Sequence, residues 1–220
     1  MKNKNPICVI LGGGGHAQVL IDSLQTSGLG IPYAILDPQR SRWGQNLLGV
    51  PILGDDNLLS ELVHRGVNCF VVGLGSTGDN GPRQRLFELG LSFNLEPLTI
   101  VHPTAICSRW AKVGPGSQLF PGSIINAGAT LGANVIVNSG AIVEHDCILS
   151  DHVHIATGAR LASTVYVCEG SHIGVGASVC QNIQIGRNAV VGAGAVVVED
   201  VLDNVIVAGV PARILKRLDE

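Results

Sequence analysis

Aromatic rings and charge are both scarce in this chain. It has two Trp, two Tyr and four Phe, and Asp, Glu, Lys and Arg together make up 14% of 220 residues. A core resting on large rings is therefore excluded. So is a surface that grips nucleic acid, because the formal net charge is −3 and no run of like charges forms a basic patch or an acidic tail. No stretch approaches the ~18 apolar residues of a membrane span. The apolar run Ile7 to Leu11 is too short for a signal-peptide core and passes straight into glycines. The six cysteines form no CxxC pair and keep no regular spacing, which excludes a disulfide framework and points to a reducing compartment, the cytoplasm.

What the chain has instead is glycine, 29 residues of it, and a repeat. Between Val101 and Leu202 an aliphatic residue or a cysteine returns every sixth position, as in Val137, Val143, Leu149, Ile155, Leu161, Val167 and Ile173. The fourth residue after each is small or apolar, for example Ala141, Cys147, Val153 and Ala159, and seventeen hexads keep one frame without insertion. A period of six is neither the 3.6 of a helix nor the 2 of a strand with one wet face. It fits short strands with a corner after each, two side chains per hexad pointing inward and three hexads closing a triangular coil. Successive coils then stack as parallel strands roughly 4.8 Å apart. Gly and Asn recur where the corners fall, as left-handed backbone angles favour. An ordinary sandwich would show a period of two broken by irregular turns, which the unbroken frame excludes.

The first hundred residues read differently. Strands are expected over Pro6–Leu11, Tyr33–Leu36 and Asn68–Gly73, alternating with helices over Gln18–Leu24, Asn57–Arg65 and Pro82–Leu89. Such alternation predicts a small parallel sheet covered on both faces, a Rossmann-like α/β domain. The expected domains are 1–97 and 98–220. Gly12-x-Gly14-x-x-Ala17, between a strand and a helix, has the form of a nucleotide-binding turn, and Asp37 ends the next strand where a carboxylate could accept from a ribose hydroxyl. With about 95 residues of α/β chain, a nucleoside diphosphate fits better than a dinucleotide. His16 either contacts such a ligand or starts the helix in solvent. Arg83 either pairs with phosphate or lies solvated at the surface.

Five of the seven histidines lie in the repeat. His145 takes the third place of its hexad, so it projects outward near a corner, with Asp146 beside it. A carboxylate that accepts one ring N–H raises basicity at the other nitrogen, which makes a general base. His154 and His172 are 18 residues apart and should stack on one face. His152, His154 and His172 make a poor metal site, since they differ in hexad position and no cysteine or carboxylate completes a tetrahedral set. Cys147 points inward, which disfavours a covalent thiol mechanism.

The hexapeptide frame resembles the left-handed β-helix acyltransferases. Gly-Gly-His-Ala at the start, Gly78 to Arg83 with its Asn80, His102-Pro103, Glu144-His145-Asp146 and the closing Gly209-Val-Pro-Ala212 are similar to the sialic-acid O-acetyltransferase-like group. Within it, the chain most resembles the nucleotide-sugar N-acetyltransferases that make bacillosamine or N-acetylperosamine. The resemblance implies acetyl-CoA as co-substrate, a nucleotide-linked 4-amino sugar as acceptor, no metal, and a homotrimer with its site between neighbouring coils. It implies His145 as general base, Asp146 as its orienting carboxylate and Asn138 near the acceptor. It also puts His154 at the thioester end, Val175 and Ala193 along the pantetheine, and Gly14, Gly15, His16 and Asp37 around the nucleotide. Pro38 stands where some relatives carry a second acidic residue, which leaves the base open. Acetylation of a sugar hydroxyl and a non-catalytic nucleotide-sugar scaffold are the competing readings.

Overall fold

A computed structural model describes residues 6–218. The first five residues of the expected first domain and the last two of the expected second lie outside them. The chain forms two compact units, one of Met1–Gly75 with Pro82–Pro103, the other of Ser76–Gly81 with Thr104–Glu220.

In the first unit, β1 (Ile7–Leu11), β2 (Ile31–Leu36), β3 (Asn46–Leu47), β4 (Val50–Gly54), β5 (Cys69–Val72) and β6 (Glu96–Pro97) form one sheet in the order β3-β4-β2-β1-β5-β6. Every pair is parallel except β3–β4. β1 is buried almost throughout because both of its faces are covered, which is why its sequence is a continuous apolar run rather than an alternation. Helices α1 (Gly15–Ser27), α2 (Leu59–His64) and α3 (Gly81–Ser92) follow β1, β4 and β5. α1 stops at Gly28, whose left-handed φ of 65° lets its N–H return to the Leu24 carbonyl. Sequence reasoning missed β3, β4 and β6. β4 carries Pro51, which demotes it as a strand, and the other two are only two residues long.

The second unit is a parallel β-helix. Ile136–Val137 pairs with Gln118–Leu119 below it and His154–Ile155 above it, each step 18 residues. The other two faces repeat the step, as in Ile142–Val143 over Ile124–Ile125 and Ile148–Leu149 over Thr130–Leu131. Leu119, Ile125, Leu131, Val137 and their successors to Val197 are 0–3% exposed. Burying each such side chain contributes about 1.5–3 kcal/mol, repeated at every corner-to-corner segment. The stack ends in an antiparallel pair, Val205–Ala208 with Arg213–Arg217.

The corners obey one backbone rule. Every sixth residue from Gly116 to Gly194 has positive φ, and most are Gly or Asn. Asp146, His152 and Thr164 hold the same angle, at 60°, 63° and 57°. Among the described residues no helix is long and apolar enough to cross a membrane.

Candidate active site

The β-helix places His145 and Asp146 on the corner between the faces of Ile142–Val143 and Ile148–Leu149. His145 Nδ1 lies 2.8 Å from Asp146 Oδ2, and the two side chains are 56% and 61% exposed. The carboxylate accepts from the Nδ1–H, which leaves Nε2 as the basic nitrogen on a solvent-facing edge. Gly128 sits one coil below Asp146, and a Cβ there would fall 2.2 Å from Asp146 Oδ1. The glycine thus makes room for the carboxylate. Cys147 next door points into the coil, donates to the Ala162 carbonyl, and has its thiol pKa raised by burial, so no thiolate nucleophile stands here.

Asn138 lies at a different corner of the same coil, the one that follows the face of Ile136–Val137. Val175 and Ala193 stand on that same edge, two and three coils higher, and both are exposed. The turn positions of this edge are bare: Gly140, Gly158, Gly176 and Gly194 are its left-handed residues, and a Cβ on any of them would meet nothing within 4 Å. Within one chain, then, the His145–Asp146 pair and the Asn138–Val175–Ala193 edge occupy separate corners.

His154 heads the strand above Ile136 and is 4% exposed. Its ring meets His172 edge-on at 4.8 Å between centroids, the stacking expected from the 18-residue spacing. Ser76 Oγ reaches His154 Nδ1 at 2.8 Å and His172 Nδ1 at 3.4 Å. Asn80 bonds Ser76, and its amide donates to the Gly170 and Ser171 carbonyls. Burial lowers the His172 pKa to about 4, so that ring is neutral at physiological pH. Sequence reasoning missed Ser76 and Asn80 as neighbours of these histidines. No repeat position marks a segment that folds back on the coil from 90 residues away.

A cavity of about 670 Å³ opens in the first unit at the carboxyl ends of β1 and β2. Gly14 and Asp37 line it, at the strand ends where a parallel sheet commonly opens a crevice. Asp37 is firmly held: Oδ2 accepts from the Gly13 N–H at 2.8 Å and from Arg42 at 3.3 Å, and Oδ1 accepts from the Gln39 N–H. Gly15 starts α1 just outside the lining. His16 is half-buried with its ring against Gly75, where a Cβ would lie 3.2 Å from Nδ1.

Arg83 requires a correction. It is neither solvated nor in the cavity lining; it is 1% exposed, and Nη1 donates to the Val72 and Leu74 carbonyls. Nε and Nη2 have no hydrogen-bond partner among the described residues, and burial lowers its pKa to about 9. The cavity is reached instead by Arg85, Arg42 and Asp56, none of which sequence reasoning singled out. Burial beside Asp55 and Asp37 raises the Asp56 pKa. Helical spacing held the signal for Arg85: Pro82, Arg85, Leu86 and Leu89 face the cavity, whereas Arg83, Phe87 and Gly90 face the core. Among the described residues no group of three or more His, Cys, Asp or Glu could hold a metal.

The PglD N-terminal domain family matches residues 8–89. Over both units the chain is similar to a histidine-to-alanine variant of GDP-perosamine N-acetyltransferase from Caulobacter crescentus, solved with CoA and GDP-perosamine. Identity is 38%, covering 97% of this chain and 98% of that one, with a TM-score of 0.88. The acetyltransferase domain of PglB from Neisseria gonorrhoeae FA1090, in complex with acetyl coenzyme A, is 33% identical over 96% of this chain and 100% of that one, again at 0.88. WeeI from Acinetobacter baumannii AYE, 24% identical over 95% and 99% with a TM-score of 0.83, shares the fold. No match was found among curated protein sequences.

Proposed function

Starting from the premise that the chain belongs to the PglD-type sugar N-acetyltransferases of the left-handed β-helix family, we propose that it acetylates the 4-amino group of a nucleotide-linked sugar with acetyl-CoA. The observation that carries the mechanism is the 2.8 Å contact of His145 Nδ1 with Asp146 Oδ2 on an exposed corner. His145 Nε2 takes a proton as the amine nitrogen attacks the thioester carbonyl carbon. The tetrahedral intermediate then breaks its C–S bond, and the proton passes to the departing CoA sulfur. A backbone N–H at the coil edge holding the oxyanion would contribute ~3–4 kcal/mol. The rigid coil supplies orientation.

Acetyl-CoA runs along the bare glycine edge, its pantetheine past Val175 and Ala193 and its thioester by Asn138 and His154. The nucleotide occupies the cavity of the first unit, with its phosphates toward the Gly14–Gly15–His16 turn at the start of α1, where backbone N–H groups and the helix dipole favour anions. Residues 1–97 thus bind the sugar nucleotide and 98–220 carry the transfer. Because His145 and the glycine edge stand on different corners, the site is completed between copies, and a homotrimer supplies that geometry. The six free cysteines suit a reducing cytoplasm.

The test is mass spectrometry of the protein incubated with acetyl-CoA and UDP- or GDP-4-amino sugars, with free sialic acid as the hydroxyl acceptor. A gain of one acetyl group on the amine, abolished in His145→Ala, is expected. Acetylation of sialic acid alone would overturn the assignment.

A further inference from the structure

The hydrogen bonds around His154 have a direction that can be read from one end to the other. Asn80 is 3% exposed, and its Nδ2 is fixed by two backbone carbonyls, Gly170 at 2.9 Å and Ser171 at 3.0 Å. Its Oδ1 is therefore the atom turned to Ser76, and it accepts the one proton of that hydroxyl. With its proton given away, Ser76 Oγ can only accept from His154 Nδ1, 2.8 Å distant. His154 then carries its proton on Nδ1, and Nε2 is the unprotonated nitrogen. The far end agrees independently. Asn138 Oδ1 accepts from the Ser139 N–H at 2.8 Å, so its Nδ2 is the atom facing His154 Nε2, at a long 3.5 Å. A donor there needs an unprotonated Nε2, which is what the Ser76 end requires.

We infer that Ser76 and Asn80 are positioning residues that hold His154 as the neutral Nδ1–H tautomer, so that Asn138 rather than His154 offers the side-chain N–H at this corner. Nε2 of His154 takes one hydrogen of the Asn138 amide and leaves the other to donate at this corner. The group such a donor suits is a carbonyl oxygen, here the acyl oxygen of the thioester or the oxyanion formed from it. His154 is thus an acceptor that orients a donor and does not itself donate. This rests on the acetyl-transfer reading for its consequence, but not for the tautomer.

Two measurements separate the parts. Long-range ¹H–¹⁵N correlation of the full chain labelled at histidine, with His154 assigned by its disappearance in His154→Gln, reads the ring directly. The Nδ1–H pattern is expected, lost in Ser76→Ala and kept in Ser76→Thr. An Nε2–H pattern in the unaltered protein, or a ring unmoved by Ser76→Ala, overturns the inference. In acetyl transfer, Ser76→Ala should lower kcat about ten- to a hundredfold, the cost of a misplaced group, with Ser76→Thr restoring it and Asn138→Asp losing more. Unchanged kcat in Ser76→Ala overturns the consequence. A protein that transfers no acetyl group to any amine removes the acetyltransferase reading and leaves the ring spectrum to decide the tautomer.

Discussion

At the corner of Gly140, Gly158, Gly176 and Gly194 the backbone turns with φ of 65–67° and these four positions carry no side chain. One corner along, the same turn is made by Gly128, Asp146, Thr164 and Asn182; Asn and Asp visit this angle, whereas the β-branched Thr164 resists it. The geometry is shared and the cost is not. A residue other than Gly, Asn or Asp held there loses roughly 1–2 kcal/mol. On the smooth edge glycine makes all four of these turns; beside His145 the same place holds the Asp146 carboxylate. The part played by the Asp146 side chain can be tested against a glycine copy of the same turn in the same coil.

The largest expected effect comes from emptying the occupied corner. His145→Ala should lower kcat by about 10²–10⁴, the range of general-base help, with the KM for the sugar nucleotide nearly unchanged. Asp146→Gly separates stability from function: unfolding free energy should change by less than about 1 kcal/mol, since Gly and Asp both take the left-handed angle, while kcat falls about a hundredfold. A drop in both would show that Asp146 holds the corner together.

The contrast between exposed and enclosed histidines gives the next effect. His172 has its pKa lowered to about 4 by burial, whereas an unfolded histidine titrates near 6.5. The unfolded chain therefore takes up the proton first. The neutral buried ring is no handicap above pH ~6.5, and about 3 kcal/mol of stability should be lost as pH falls toward 4. Urea titrations at pH 7 and pH 4.5, repeated on His172→Gln, read this as a difference in slope with pH. An equal slope in both proteins would remove His172 as its source.

Filling the bare corner should cost less. Gly176→Asn tolerates the left-handed angle and adds a side chain where a Cβ meets nothing, so the melting temperature should hold. If pantetheine lies along this edge, KM for acetyl-CoA should rise about tenfold, roughly 1.4 kcal/mol of binding. The smallest effect tests the room left for Asp146. Gly128→Ala and Gly140→Ala carry the same backbone strain, but only the first places a Cβ against the carboxylate. The ratio of their kcat values, expected to be several-fold, or about 1 kcal/mol, isolates that contact. Equal values would show that Asp146 simply swings aside.

The coil was legible because its repeat is local, so one frame fixes inside, outside and corner for every residue. His145 and Asp146 were legible for the same reason, being neighbours in sequence whose place in the hexad sets their direction. The cavity was only half legible. Gly14 and Asp37 sit at strand ends, where a parallel sheet puts its ligands. Arg83 and Arg85 differ by two positions on α3, enough to send one into the core and the other to the cavity. Ser76 and Asn80 could not be found this way, since their bonds to His154 and Gly170 depend on a fold-back that no period encodes.

Stacked coils also act as a ruler. Ser139 and Ala193 share an edge three coils apart, about 14 Å at ordinary strand spacing. Adding or deleting one whole 18-residue turn would lengthen or shorten that edge by about 4.8 Å without disturbing any register. The chain could thus be graded in fixed increments to the length of the thin molecule laid against it.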